Sequence, residues 1–325
     1  MSAPDVSVVV ATRNRASHLA ELLAGLRAQT LASERFEVIV VDDGSTDATG
    51  TLLARTADAG GLRLRAIERS SSAGPATARD EGWRVARGAI VAFTDDDCVP
   101  DPGWLEAGIE ACGERGGALV QGRTEPPPGE FEGLGPLEKP FARTIRVTDL
   151  DPAFQTCNVF YARSLLQRID GFDTAAFGRD PGGEDSDLGW RAIAAGAEPE
   201  FCERAVIRHA VNRLGPLGKL RVAARWTTPM RVYARHPELR RAHFTHGVFW
   251  KHSHYLLFRA LLALALPRRL RFLAPWMVAP YARHLIARGR VEGGGPPLAP
   301  FYLLHDLVEM VTVARAAVRY RSPML

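Results

Sequence analysis

Runs of apolar, β-branched residues alternate with helical periodicity through the first hundred positions, and this alternation restricts the chain to a layered α/β fold. Val6 to Ala11 reads as a strand. Leu19, Leu22, Leu23 and Leu26 then recur at the i, i+3, i+4, i+7 spacing of one helix face. Phe36 to Val41 reads as a second strand, Thr46 to Ala57 as a helix and Leu62 to Ile67 as a weaker strand. Pro75 to Arg87 reads as a helix, with Pro at its first position and Gly88 just past its end. Ala89 to Thr94 is the next strand. The expected product is a doubly wound, mostly parallel sheet with helices on both faces and right-handed crossovers. Ligands of such sheets bind beyond the carboxyl ends of the strands. Two acidic clusters stand there, after Val41 and after Thr94.

The second cluster is Asp95-Asp96-Asp97. Three adjacent carboxylates repel one another, and Mg²⁺ or Mn²⁺, which favour oxygen ligands, is the usual compensation. In an extended chain Asp95 and Asp97 face one way and Asp96 the other. Asp95 and Asp97 are therefore expected to share a metal that bridges to nucleotide phosphates. A solvated acidic turn with an Asp cap is the competing reading. In the first cluster, Asp42 to Asp47, a turn capped by Ser45 or Thr46 accounts for the Gly and Ser. It does not account for two acids at a strand end, where a carboxylate could accept hydrogen bonds from a base or ribose.

A third acidic stretch, Gly183 to Arg191, opens a helix. Acids in a first turn suit the helix dipole. A carboxylate near an apolar wall such as Trp190 can also have a raised pKa and act as a general base. Asp187 and Arg191 are spaced to pair at i, i+4. His209 taken alone reads as structural. Beside a metal it becomes a third ligand to Asp95 and Asp97.

Residues 124–139 are rich in Pro and Gly and read as a loop. This loop or the stretch from Phe177 to Gly183 could close over a site and exclude water. Phe154 to Tyr161 and Ala205 to Val211 read as strands, Glu184 to Ala195 as a helix. Near residue 212 the chain changes character. Residues 1–210 hold 22 Lys and Arg against 33 Asp and Glu, and residues 211–325 hold 19 against 4. A boundary at residues 212–218 is expected to divide a catalytic domain, 1–211, from a mainly helical basic region, 212–325. Four cysteines without a CxxC pair argue against a disulfide framework or zinc finger, and for reduced thiols in a cytosolic compartment. No signal peptide is read at the start. The best apolar stretch, Tyr255 to Leu266, is too short to span a bilayer and contains Arg259.

Taken together, SVVVATRNR (residues 7–15), VIVVDDGSTD (38–47), GPATARDEGW (74–83) before AFTDDD (92–97), and GGEDSDLGWR (182–191) resemble the family 2 glycosyltransferases. The resemblance covers roughly residues 5–211. It implies a GT-A fold and an inverting, metal-dependent transfer from a nucleoside-diphosphate sugar, with UDP or dTDP as the favoured carrier. By the same resemblance, Thr12, Arg13 and Asn14 line the nucleotide site, and Asp42 contacts the base, with Asp43 and Gly44 beside it. Gly74 and Arg79 pack near the nucleotide. Asp95 and Asp97 hold Mn²⁺ or Mg²⁺, His209 completes that site, and Asp96 lies on the donor side. Asn158 sits under the donor sugar and acceptor. Asp185 is the catalytic base and Glu184 its support or an acceptor contact, with Trp190 and Arg191 on the acceptor side. The alternatives are a non-catalytic nucleotide-sugar-binding protein of the same fold and a nucleotidyltransferase. The latter would carry a Gly-rich loop after the first strand, where this chain has Thr12-Arg13-Asn14-Arg15.

The basic C-terminal part interleaves Arg and His with aromatic residues. Leu304, Leu307, Val308 and Val311 fall on one helical face, and Arg268, Arg269 and Arg271 follow a Leu/Ala-rich stretch. This composition suits an anionic membrane interface. It leads to the expectation of a peripheral protein at the inner face of the plasma membrane, acting on a saccharide or lipid-linked acceptor in cell-envelope synthesis. An ordinary helical domain with its apolar face packed inward is the alternative. No nucleic-acid-binding motif is found, and the acidic first part would repel a phosphate backbone.

Overall fold

The computed structural model describes residues 3–113, 115–178 and 182–325. It divides into two compact units. The first comprises residues 1–127 and 144–210, the second residues 128–143 and 211–325.

The first unit opens with β1 (Val6–Thr12), α1 (Ala16–Arg27), β2 (Phe36–Asp42), α2 (Thr49–Ala59), β3 (Leu64–Glu68), α3 (Pro75–Arg84) and β4 (Ile90–Asp95). Then come β5 (Cys98–Pro100), α4 (Trp104–Cys112) and β6 (Leu119–Glu125). After the short β7 (Ala142–Arg143) of the second unit, the first resumes with β8 (Asn158–Ala162), α5 (Arg163–Ile169), α6 (Thr174–Phe177), α7 (Glu184–Ala194) and β9 (Pro199–His209). All but β7 of these strands form one sheet of eight, ordered β3-β2-β1-β4-β8-β6-β9-β5. β1 to β4 are mutually parallel, as their βαβ connections require. β8 runs antiparallel between β4 and β6, and β5 antiparallel along β9.

The apolar runs become the sheet's centre. Val6, Val8, Val9 and Val10 of β1 and Val38 to Val41 of β2 have no exposed surface. Both faces of these strands are covered, which is why they read as continuous rather than alternating hydrophobic runs. Helix α3 lies so close to β1 that a Cβ on Gly82 would sit 2.6 Å from the Val9 side chain, so only glycine permits this approach. The chain enters α3 through Gly74 at φ +93°, a conformation that side chains resist.

Two readings of the carboxyl-terminal half change. The strand expected at 154–161 begins only at Asn158, because Asp151 to Phe154 form a turn. The strand expected at 205–211 starts six residues earlier, at Pro199. Its first half carries Glu200, Glu203 and Arg204, so no apolar run announces it.

The second unit pairs β7 with β10 (Asn212–Arg213), so strand structure does not wholly end at residue 212. Residues 128–143, read as part of a loop, cluster with this unit. Its helices are α8 (Gly215–Ala223), α9 (Met230–Arg235), α10 (Pro237–His243), α11 (His252–Leu264), α12 (Ala274–Glu292) and α13 (Ala299–Tyr320). One core gathers Leu256, Leu257, Tyr281, Leu285, Tyr302 and Met310, another Met230, Phe244, Val313, Ala316 and Met324. Helix α13 buries several polar side chains. His305, Asp306, Glu309 and Thr312 point inward, while Leu304 is 48% and Val311 50% exposed. No described helix is long and apolar enough to cross a membrane.

Candidate active site

The carboxyl ends of β1, β2 and β4 and the start of α7 bring the acidic residues together. β4 ends at Asp95, and Asp96 and Asp97 form a turn into β5. The alternation expected for an extended chain therefore does not apply. Cys98 must pair with His209 of β9, and the turn that allows this separates the three carboxylates. Asp95 accepts from Arg79 Nη2 at 2.6 Å, and the same guanidinium donates to Glu184 at 3.0 Å. Asp96 accepts from Thr12 Oγ1 at 2.8 Å. Asp96 and Asp97 share Arg15, whose Nη1 lies 3.2 Å from one and 2.7 Å from the other. His209 Nε2 stands 3.6 Å from Asp97, and its Nδ1 is 2.9 Å from the Ala210 carbonyl. A proton on Nδ1 would satisfy that carbonyl and leave Nε2 a free lone pair facing Asp97.

Electrostatics mark two of these acids. Burial pushes the Asp185 carboxyl up to about 7, and the neighbouring Glu184 charge adds to the shift. Burial likewise raises Asp96 to about 6, against the opposing pull of Arg15 and Thr12. Arg79 is buried yet held charged by Asp95 and Glu184. Five carboxyl groups (Asp95, Asp96, Asp97, Glu184, Asp185) thus surround two guanidinium groups, Arg15 and Arg79.

A cavity of about 250 Å³ opens beside this cluster, lined by Thr12, Arg13, Arg15, Asp43, Gly74 and Asp96 among others. Asp43 is its acceptor wall. Ser72 Oγ and the amides of Ala73 and Gly74 donate to it, and Arg69 pairs with it. Asp42, expected at the base, instead accepts from the Ser45 amide at 2.8 Å and holds its own turn, beside Gly44 at φ +76°. Asn14 ties the two loops together by accepting from the Thr46 amide.

Three of the expected site residues are hydrogen-bonded into the surrounding framework. Asn158 is 1% exposed, accepts from Trp104 Nε1 and donates to the Arg123 and Ala205 carbonyls. These three hydrogen bonds join β6, β8, β9 and α4. Trp190 donates to the Pro152 carbonyl, and Arg191 pairs with Asp187 at 2.8 Å, as its spacing predicted, while also holding the Ile169 and Gly171 carbonyls. Conversely, Arg15 and Ser72 were not singled out. Arg15 lay within the quoted motif, but only the fold brings it to Asp96 and Asp97. The closing role considered for Phe177 to Gly183 falls partly on residues 179–181, outside the described residues.

Residues 7–170 match the family model described as glycosyl transferase family 2. The chain belongs to that family. It is 32% identical over 221 residues to the pre-mycofactocin glycosyltransferase of Mycobacterium tuberculosis, a match covering 63% of this chain and 42% of the relative. It is 35% identical over 122 residues to the glycosyltransferase AglE of Haloferax volcanii, covering 38% and 40% respectively. The chain thus spans about two-fifths of these curated relatives. Among solved structures, the mannosyltransferase PcManGT from Pyrobaculum calidifontis, in complex with GDP-Man and Mn²⁺, superposes with a TM-score of 0.61. That match has 23% identity and covers 99% of this chain and 88% of the other. Staphylococcus aureus TarS 1–349 in complex with UDP-GlcNAc gives 0.53 at 18% identity, covering 98% and 92%. These likenesses carry the GT-A fold of this family-2 chain.

Proposed function

We propose that the protein transfers a glycosyl group, with inversion, from a nucleoside-diphosphate sugar to an acceptor hydroxyl. The carrying observation is Asp185, a carboxyl raised to about 7 within an acid cluster that borders the cavity lined by Thr12, Arg13 and Asp43. A base with its pKa near the working pH both accepts a proton readily and is substantially ionised. In this reading Asp185 takes the proton of the attacking hydroxyl. Glu184 raises its basicity through charge repulsion, and Arg79 fixes Glu184 and Asp95 in place. Asp43 accepts from the base or ribose, with UDP or dTDP the favoured carrier, and Arg13 and Thr12 lie beside the diphosphate. The inverting course needs no enzyme nucleophile, because one displacement from the opposite face suffices.

The donor set fits a divalent cation. Carboxylate oxygens and a neutral imidazole meet where five carboxyls outnumber two guanidiniums. Asp97 and His209 would hold it. Asp95 and Asp97 are each paired with an arginine, Arg79 and Arg15, and burial pushes the adjacent Cys98 thiol well up, so it stays protonated. Mn²⁺ or Mg²⁺ there would supply Lewis-acid stabilisation of the departing diphosphate.

The second unit supports a finer proposal, attachment to an anionic membrane surface bearing a lipid-linked acceptor. Leu264 is 80%, Phe272 69% and Trp276 77% exposed, close in sequence to Arg268, Arg269 and Arg271.

The test is product analysis with a panel of nucleotide sugars and candidate acceptors. Free nucleoside diphosphate and an inverted anomer are expected, and Asp185→Asn should abolish transfer while donor binding persists. Release of pyrophosphate would instead mark a nucleotidyltransferase. Near-normal turnover by Asp185→Asn would overturn the base assignment.

A further inference from the structure

The second unit contains a buried polar centre that glycosyl transfer does not use. Helix α11 contributes His254 and helix α13 contributes His305, Asp306 and Glu309. Their side chains are between 0% and 6% exposed. His305 and Glu309 stand one turn apart on α13, so both meet α11 on the same side. Ligand atoms of His254, Asp306 and Glu309 all lie within 4.8 Å of one another.

His254, Asp306 and Glu309 have the separations of ligands around a common centre, and His305 adjoins them through Glu309 and Asp306. His254 Nε2 is 3.4 Å from Glu309 Oε2. His305 Nδ1 is 3.6 Å from the same oxygen and 3.8 Å from Asp306 Oδ1. A good N–H···O hydrogen bond is near 2.9 Å. Two ligands of a tetrahedral ion, each about 2.0–2.2 Å from it, are about 3.4 Å apart. His305 Nδ1 has no hydrogen-bond partner although it is buried and turned to both carboxylates. An orphaned buried nitrogen is costly, and a bound cation would satisfy it.

We propose that His254, His305, Asp306 and Glu309 form a structural site for a borderline divalent transition metal such as zinc, joining α11 to α13. Two imidazoles and two carboxylates are a donor set that zinc accepts. Both carboxylates are held ionised. Glu309 is lowered to about 2 by His254 and Lys251, and Asp306 is lowered with the Arg288 guanidinium beside it. Outer contacts are present at Asp306. Tyr281 Oη donates to Asp306 Oδ2 at 3.1 Å, and Arg288 donates to Oδ1 at 3.0 Å. Such groups orient metal-binding carboxylates. Lys251 is the group that must give way. Its ammonium holds both Glu309 oxygens at 2.7 Å, but its side chain is 37% exposed and can turn to water. The ion would take over its role as the Glu309 counter-charge.

The test uses the full chain in an Asp97→Asn background, so that the acids of the first unit do not bind the probe. The protein is stripped with a chelator and titrated with Co²⁺, whose visible absorption is intense only in tetrahedral sites. One equivalent of tetrahedral Co²⁺, displaced by Zn²⁺, is expected. Glu309→Gln and His305→Gln should each weaken binding at least about tenfold, and Lys251→Met should preserve or tighten it. Absence of the tetrahedral band, or affinity indifferent to Glu309→Gln and His305→Gln, would overturn the proposal and leave an ion-pair network. Loss of binding in Lys251→Met would overturn it as well. Circular dichroism of each variant identifies any that fails to fold, and the conservative Glu309→Asp then takes its place.

Discussion

Asp185 links the proposed chemistry to the stability of the fold. Its carboxyl titrates at 3.8 when unperturbed and at about 7 in the folded protein. Between these values the folded state binds more protons than the unfolded state, so this group makes stability fall as pH rises. Its contribution is most favourable below pH 3.8, is lost through about pH 7, and is constant above. A shift from 3.8 to about 7, at about 1.4 kcal/mol per unit, gives an upper bound of about 4 kcal/mol. Asp185→Asn keeps the shape and cannot ionise. The variant should therefore gain stability over the parent progressively from pH 5 to pH 8.5, by a few kcal/mol, while losing transfer. Urea unfolding of both proteins at the two pH values, with chelator present, measures this. Titrating groups remote from Asp185 are common to both proteins and cancel in the difference, which therefore reports Asp185 together with its coupled neighbour Glu184. A difference that does not change between pH 5 and 8.5 would refute the reasoning, because Asp185 would then titrate alike in the folded and unfolded chains.

Three further outcomes are expected. Asp97→Asn should lose the Mn²⁺-dependent part of the thermal stabilisation given by a nucleoside diphosphate; an unchanged shift would remove Asp97 from the metal site. Gly82→Ala should cost roughly 1–3 kcal/mol in chemical denaturation, since its Cβ would meet Val9 at 2.6 Å; a neutral effect would show that α3 can slide. In a flotation assay the protein should bind anionic but not neutral vesicles, and Phe272→Ser with Trp276→Ser should weaken binding at least tenfold. Equal flotation with neutral vesicles, or none with anionic ones, would sink the membrane proposal.

The parallel half of the sheet was legible because its strands are covered on both faces, and β1, β2 and β4 end within a residue of the apolar runs that announced them. β9 was half hidden because its first half carries exposed charges. The three aspartates were legible as an acidic cluster at a strand end but not as a geometry. Their turn is imposed by pairing between Cys98 and His209, more than a hundred residues apart in sequence. Asp42 and Asp43 are adjacent and chemically identical. Only the approach of Ser72 and Gly74 decides that Asp43 faces the cavity. Helix α13 was legible as a helix with an apolar stripe, but not the burial of its polar side chains, which pair with Lys251, with His254 of α11 and with Arg288 of α12.

The strand order sets a schedule for making the protein. β1 to β4 are complete once residue 95 has been synthesised, and they can collapse with α1 to α3 while still tethered to the ribosome. β4 then presents a bare edge until residues 158–162 supply β8. Such an edge is a template for pairing with another nascent chain. The acids of β4 are in place early, whereas Glu184, Asp185 and His209 arrive with α7 and β9. On the proposed assignment the site is incomplete until β9 seats, and a chain stalled between residues 100 and 157 would be an aggregation-prone half-sheet.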